Sequence, residues 1–250
     1  MKQTRLMMGM PITIEIAETS RPAREQDIDE AFLFLQYVDD TFSTYKPDSE
    51  ISRINQKRLV LASASAPMQT IFAMAEETRQ DSSGYFDILR NGRYDPSGLV
   101  KGWAILNAAA MLREREYRNF YVEAGGDVEA AGHNAQGENW RVGIRNPFNR
   151  REIVKALSIS DCGVATSGTY IRGQHIYNPM SDAPLQTSIL SLTVVGPNIY
   201  EADRFATAAF AMGERGVSFI GMLEGFEAYQ IDQTGTATFT DGFERYVLQP

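Results

Sequence analysis

Asn119-Phe120-Tyr121-Val122-Glu123-Ala124-Gly125-Gly126-Asp127 marks the point where the chain changes character. Phe120, Val122 and Ala124 are every second residue, the period of a half-buried strand. The paired glycines that follow allow either a tight turn or close backbone approach to a ligand. Upstream, apolar residues recur mainly at spacings of three and four. Downstream, nearly every candidate element is a strand. Helices gathered first and strands later argue for an α+β fold rather than regular βαβ alternation.

Working outward, a helix is expected from about Gly98 to Arg115, just before this strand. Met68, Ile71, Phe72 and Ala75 mark a helix over 67–79. Ile28, Ala31, Phe32, Leu35, Val38 and Phe42 mark an amphipathic one between about Pro22 and Thr44. Pro11 to Ile16 alternates as a strand, and Gly84 to Ile88 is strand-like. After the glycine turn, strands are expected at 140–144, 152–159, 164–166, 188–195, 228–231 and 244–248, interrupted by one helix over 199–212. No repeat, low-complexity stretch or Pro/Ser-rich linker divides the chain, so residues 1–250 read as one domain.

The totals exclude some functions. A net charge of −8 and a pI near 4.9 oppose nucleic-acid binding, which needs a basic footprint, and give no help towards an anionic membrane. A phosphate ligand must therefore be held by local dipoles, a few basic groups or a metal. Nothing approaches the ~18 apolar residues of a membrane span, and no secretory leader or lipidation cysteine is visible, so a cytoplasmic protein is expected. The single cysteine, Cys162, has no base beside it and reads as a buried, inert thiol.

Chemistry concentrates in Tyr94-Asp95-Pro96-Ser97-Gly98-Leu99-Val100-Lys101-Gly102-Trp103. Pro96 fixes its own φ, Gly98 permits close approach, and N–H groups at the helix start favour anions. Lys101 adds a point charge, so the stretch reads as the floor of a phosphate site. Neither G-x-x-x-x-G-K-[ST] nor G-x-G-x-x-G is present, so the usual nucleotide folds are unsupported. Asp203 and Thr207 lie four apart on one helix face, a sparse hard-oxygen pair that suits Mg²⁺. The same spacing also fits a solvated Asp and a Thr bonded to its own helix. Glu201 points about 200° away around that helix and is the weaker ligand. Of two histidines, His133 sits in a polar turn. His175, at a strand end before Asn178-Pro179, is either structural or a general base. Val164 to Tyr170, with Thr166, Ser167 and Gly168, suits either a diphosphate lining or an ordinary turn.

Taken in order, these pieces resemble the FAD:protein FMN transferase (ApbE) family. The matching motifs are Met8-Gly9, Ser43-Thr44-Tyr45, Ser49 to Asn55, Gly84-Tyr85-Phe86-Asp87, Asp95 to Gly102, Ala124 to Asp127, Ala165 to Gly168, His175 to Pro179, and Glu201 to Thr207. The resemblance spans nearly the whole chain. It implies a single ApbE-like, T-fold-related domain with helices over mostly antiparallel sheets. It also implies an enzyme that cleaves FAD with Mg²⁺, joins FMN to a Thr or Ser hydroxyl of an acceptor flavoprotein, and releases AMP. Asp203, Thr207 and a carbonyl near Gly98 would hold the metal. Met8, Tyr45, Tyr85, Phe86, Asp87, Asp95, Lys101 and Tyr177 would line the FAD, with Gly126, Thr166 and Ser167 beside it. His175 would deprotonate the acceptor.

Three departures from the family pattern stand out. The connector between Asp87 and Asp95 is short where relatives usually carry an insertion. His-Ile-Tyr-Asn-Pro replaces the usual His-Ile-Ile-Asp-Pro, and the exported family's leader is not visible. FAD hydrolysis without an acceptor, or FAD binding without turnover, are the alternative functions.

Overall fold

β1 (Lys2–Met7) and β2 (Met10–Ile16) open the fold as a hairpin closed by Met8 and Gly9. Both turn residues have positive φ, 53° and 73°, a backbone whose twist matches that of the flanking strands. The computed structural model of the chain describes residues 1–18, 23–149, 151–169, 176–181, 185 and 187–248. Three helices follow: α1 (Glu25–Phe42), α2 (Glu50–Asn55) and α3 (Ala66–Asp81). A small hairpin, β3 (Leu89–Arg90) with β4 (Arg93–Tyr94), leads into α4 (Ser97–Glu114). Next come β5 (Phe120–Ala124), β6 (Asp127–Ala131), β7 (Trp140–Arg145), β8 (Ile153–Ile159), β9 (Cys162–Gly168) and β10 (Ile189–Gly196). α5 (Ile199–Ala211), α6 (Gly216–Ile220), β11 (Glu227–Asp232) and β12 (Ala237–Phe239) complete the regular elements.

The main sheet has eight strands in the order β1-β2-β5-β6-β9-β10-β11-β12, and every pairing is antiparallel. One face meets the helices. Ile12, Ile14 and Ile16 of β2, Val122 of β5, and Leu192 and Val194 of β10 are buried against Phe32 and Leu35 of α1, Ile105 and Leu112 of α4, and Phe205 of α5. Each such aliphatic or aromatic side chain contributes roughly 1.5–3 kcal/mol. The other face is covered by the separate β7–β8 hairpin, whose Trp140, Ile144, Leu157 and Ile159 join Val128, Val164, Tyr229, Ile231 and Phe243. Among the described residues, no helix is long and apolar enough to cross a membrane.

α1, α3, α4 and α5 fall where helices are expected, whereas the short α2 and α6 were not expected, and polar side chains cap the starts of α2, α3 and α5. Ser65 caps α3 by accepting from Met68 N–H at 3.3 Å, and Asn198 caps α5 by accepting from Glu201 N–H at 3.0 Å. Two expected strands are corrected. Residues 84–88 form turns, with Phe86 N–H bonded to Ser82 Oγ at 3.0 Å, and pairing begins only at Leu89. At 244–248, Phe243–Tyr246 is a 3-10 turn. Phe243 is anchored in the apolar cluster and Arg245 is tied to Glu227 at 3.0 Å, leaving Val247 a single bridge to Leu157.

Strands β1 and β6 were not apparent in the sequence. β1 is a sheet edge whose alternate residues are exposed. β6 is buried throughout although it contains Asp127 and Glu129. Glu129 is tolerated there because Arg113 Nη2 at 2.6 Å and Ile199 N–H at 2.8 Å donate to its carboxylate.

Candidate active site

The close approach of α4 to α5 sets the site. A Cβ on Gly102 would lie 2.7 Å from Asp203 Cβ and 2.9 Å from the Ile199 carbonyl oxygen, so only glycine lets the two helices touch there. That contact brings Gly102 N–H to Asp203 Oδ2 at 2.8 Å and Thr207 Oγ1 to the Gly98 carbonyl at 3.3 Å. Asp203 is 3% exposed. Burial pushes its carboxyl up to about 6, against the attraction of Lys101 and with the repulsion of Asp127. It is therefore not a solvated residue, and Thr207 donates across to α4 rather than to its own helix.

A cleft of about 970 Å³, counting its open mouth, lies over this floor. Of the residues expected from sequence, Tyr85, Phe86, Asp87, Asp95, Gly98, Lys101, Thr166, Ser167, Tyr177, Asp203 and Thr207 all line it. The Lys101 ammonium is ion-paired with Asp127 and stands 3.2 Å from Asp203 Oδ1. Asp95 Oδ1 accepts Ser97 N–H at 3.1 Å, and Asp87 Oδ1 accepts Leu89 N–H at 2.8 Å, so both carboxylates shape the loops that form the rim.

Tyr177 donates its hydroxyl to the Asp87 carbonyl, and the Arg90 guanidinium lies 4.4 Å from its ring centroid. Burial pushes that phenol up to about 12, so it stays neutral at physiological pH. Arg215 covers Tyr85 at 5.2 Å and donates to its hydroxyl. Thr166 shares a 2.8 Å hydroxyl contact with Thr193 of β10, which fixes its side chain in the sheet.

Three expected residues fall outside the lining. Met8 occupies the β1–β2 turn and packs at the edge of the main core. Tyr45 is 95% exposed and borders a polar groove with Arg90 and Arg93 that shares Asp95 with the cleft. Gly126 sits in the β5–β6 turn with its N–H on Glu123 Oε1 at 2.6 Å, while its neighbour Gly125 lines the cleft. His175 lies outside the described residues, although Ile176, Tyr177 and Pro179 just after it line the cleft. Asn178 caps a turn by accepting Met180 N–H at 3.0 Å.

Asp127 is the residue sequence reasoning missed, being hidden as the end of a glycine turn. Its one visible signal is a carboxylate placed immediately after Gly125-Gly126 at a buried strand start. Glu201, the weaker metal candidate, accepts from Arg204 Nε at 2.8 Å and is engaged in holding that buried guanidinium. His133 is an exposed loop residue. Cys162 is buried, and desolvation pushes its thiol up to about 12.

The donor set has the character of a hard-cation site. Asp203 offers a carboxylate, Thr207 a hydroxyl and Gly98 a carbonyl, all oxygen and all at the junction of α4 and α5. Among the described residues, no group of three or more His, Cys, Asp or Glu could hold a metal. A cation here would thus complete its shell with water and ligand phosphate oxygens, as Mg²⁺ prefers.

A model of the ApbE family matches residues 8–94 and 89–230. The FAD:protein FMN transferase of Vibrio cholerae is 27% identical over 271 residues, covering 85% of this chain and 79% of that protein. The FAD:protein FMN transferase of Salmonella typhimurium is 28% identical over 61% of this chain, and the match spans only 45% of that relative's length. Among solved structures, flavin transferase ApbE from Vibrio cholerae superposes with a TM-score of 0.84 at 23% identity, covering 98% of each chain. The ApbE protein of Thermotoga maritima gives 0.87 at 18% identity, covering 100% of this chain and 99% of that one. At these identities the structural likeness shows the shared α+β fold of helices on an antiparallel sheet.

Proposed function

The chain belongs to the ApbE family, and on that premise we propose that it transfers FMN from FAD to a Thr or Ser hydroxyl of an acceptor protein, releasing AMP. The observation that carries this reading is the convergence of Lys101, Asp203, Thr207 and the Gly98 carbonyl on the floor of a cleft walled by Tyr85, Phe86 and Tyr177. Cation, hard oxygens and aromatic rings are the groups that a flavin dinucleotide needs on one surface.

In this reading the diphosphate lies over the start of α4, where backbone N–H groups and Lys101 oppose its charge. Tyr177 and Tyr85, each held by an arginine, offer flat apolar surface to a ring. Asp203, Thr207 and Gly98 would hold Mg²⁺, which when bound neutralises charge on the diphosphate and the leaving phosphate. A Thr or Ser hydroxyl is a poor nucleophile near neutral pH, so His175 is assigned to take its proton. The acceptor oxygen then forms a bond to the FMN-side phosphorus. The phosphorus–oxygen bond to AMP breaks, and AMP leaves with the electron pair.

Chromatographic analysis of products after incubation with FAD and Mg²⁺ tests this reading. Flavin covalently attached to acceptor together with AMP is expected when a competent acceptor is present. Free FMN and AMP with no acceptor would identify hydrolysis instead, and intact FAD under all conditions would identify a binding protein. His175→Ala is expected to stop transfer while FAD still binds, measured by flavin fluorescence titration; lost binding would make His175 a ligand contact.

A further inference from the structure

Asp127 is a buried charge behind the cleft floor, paired with Lys101, that the proposed chemistry leaves without a task. It is 2% exposed, at the first position of β6 directly after the Gly125–Gly126 turn. Its Oδ1 accepts Thr166 N–H from β9 at 3.0 Å, which fixes the carboxylate between two central strands. Its Oδ2 faces the Lys101 ammonium. That ammonium in turn stands 3.2 Å from Asp203 Oδ1, and Asp203 Oδ2 is occupied by Gly102 N–H. Asp127, Lys101 and Asp203 thus form a buried row of negative, positive and negative charge. Asp203 Oδ1 is the oxygen that faces Lys101.

We propose that Asp127 is a positioning residue that anchors Lys101 so that Asp203 can be given over to a divalent cation without stranding the ammonium. The inference rests on the reading of Asp203 as a metal ligand. A cation approaching Asp203 Oδ1 competes with Lys101 for the same oxygen. Were Asp203 the ammonium's sole counter-charge, cation binding would leave a positive charge buried beside a second positive charge, which is strongly unfavourable. With Asp127 in place, Lys101 keeps a fixed partner on its far side. It then remains in the cleft as a ligand for phosphate. The Thr166 hydrogen bond makes the anchor rigid: a carboxylate held by a backbone N–H in a central strand does not follow the ammonium when Asp203 is taken.

Isothermal titration of Mg²⁺, in the absence of FAD, into the wild type, Asp127→Asn and the double variant Lys101→Met/Asp127→Asn tests this without relying on turnover. The asparagine keeps an oxygen for Thr166 N–H and loses only the charge. Asp127→Asn is expected to weaken Mg²⁺ binding by about tenfold or more, because Lys101 then loses its fixed anchor and leans on Asp203. The double variant is expected to recover wild-type affinity or better, because the competitor is gone, and with both charges removed it also guards against a misfolded single variant. Unchanged affinity in Asp127→Asn overturns the proposal. A double variant as weak as the single one also overturns it, since Asp127 would then act through its own field or through the fold. Absence of measurable Mg²⁺ binding in the folded wild type overturns the metal reading itself, and this proposal with it.

Discussion

Asp203 carries more of the proposed chemistry than any other single side chain, and its surroundings set what its loss should do. Asp203→Ala removes the one carboxylate of the proposed cation site and is expected to lower Mg²⁺-dependent turnover by at least about a hundredfold. The fold should persist, because the aspartate contributes no apolar contact to the core. Its loss leaves Gly102 N–H without that acceptor and Lys101 with one fewer counter-charge, a cost of about 1–3 kcal/mol. Steady-state kinetics and a thermal melt check both parts, and full activity would remove Asp203 from the metal site. Cys162 makes a contrasting case. With its thiol pushed up to about 12 by burial, it should be un-ionised and inaccessible at pH 8. A chromogenic disulfide reagent is expected to leave the native protein unmodified and to titrate one thiol after denaturation; rapid reaction of the native protein would contradict this. Lys101, Asp203 and Thr207 could be singled out as candidates in the sequence because each sits in a short motif whose residue types suggest phosphate or metal chemistry. Asp127 was not, because nothing local distinguishes a carboxylate that closes a glycine turn from one that opens a buried strand.

At the scale of elements, the α4–α5 contact and the start of α1 are the two junctions whose perturbation should be most visible. Gly102→Ala forces a methyl group within 2.7 Å of Asp203 Cβ and 2.9 Å of a backbone oxygen, neither of which can swing away. Destabilisation of about 1–3 kcal/mol is expected from overpacking, with weakened Mg²⁺ binding because Asp203 moves with its helix. Chemical denaturation and metal titration check the two effects, and a variant with wild-type values in both would show that the helices are not in contact there.

At α1, burial alone would raise the Asp27 carboxyl, but hydrogen bonds from Tyr117, Arg24 and Arg115 outweigh it and hold the group below the usual carboxylate range. The contacts are 2.7 Å from Tyr117 Oη, 3.0 Å from Arg24 Nε and 2.5 Å from Arg115 Nη1, and they tie α1 to the end of α4. A depressed native value means that the stabilisation is present above the unfolded value of about 4 and is lost as pH falls through the native one. Asp27→Asn should therefore cost about 1.5–3 kcal/mol at pH 7, with the gap to wild type shrinking below about pH 4. Denaturation midpoints of both proteins across that range check it, and a gap independent of pH would contradict the assignment. The helices were readable in sequence because α1 and α3 keep their apolar residues at spacings of three and four. Strands β1 and β6 were not, since β1 opens on four consecutive polar residues, Lys2 to Arg5, and β6 is a five-residue strand buried throughout although it carries two carboxylates.

At the scale of the whole molecule, the cleft is assembled from positions far apart in the chain: Asp87, Lys101, Thr166 and Asp203 come from a rim loop, α4, β9 and α5. The order of motifs was visible beforehand, but the reason they meet is topological. β9 pairs with β6 on one side and β10 on the other, and α5, which follows β10, crosses back over this part of the sheet onto α4. Tyr45 and Met8 show the limit of that inference, because sequence order carried them into the site while the fold places them outside its lining. The assembled cleft is proposed to act on FAD as a whole, and the most direct test is the intact mass of an acceptor protein of the family's kind after incubation with this protein, FAD and Mg²⁺. FMN transfer predicts a gain of one FMN unit with wild type, matched by AMP release, and none with Asp203→Ala. An acceptor of unchanged mass with wild type, under conditions where a known flavin transferase modifies it, would contradict the proposed function.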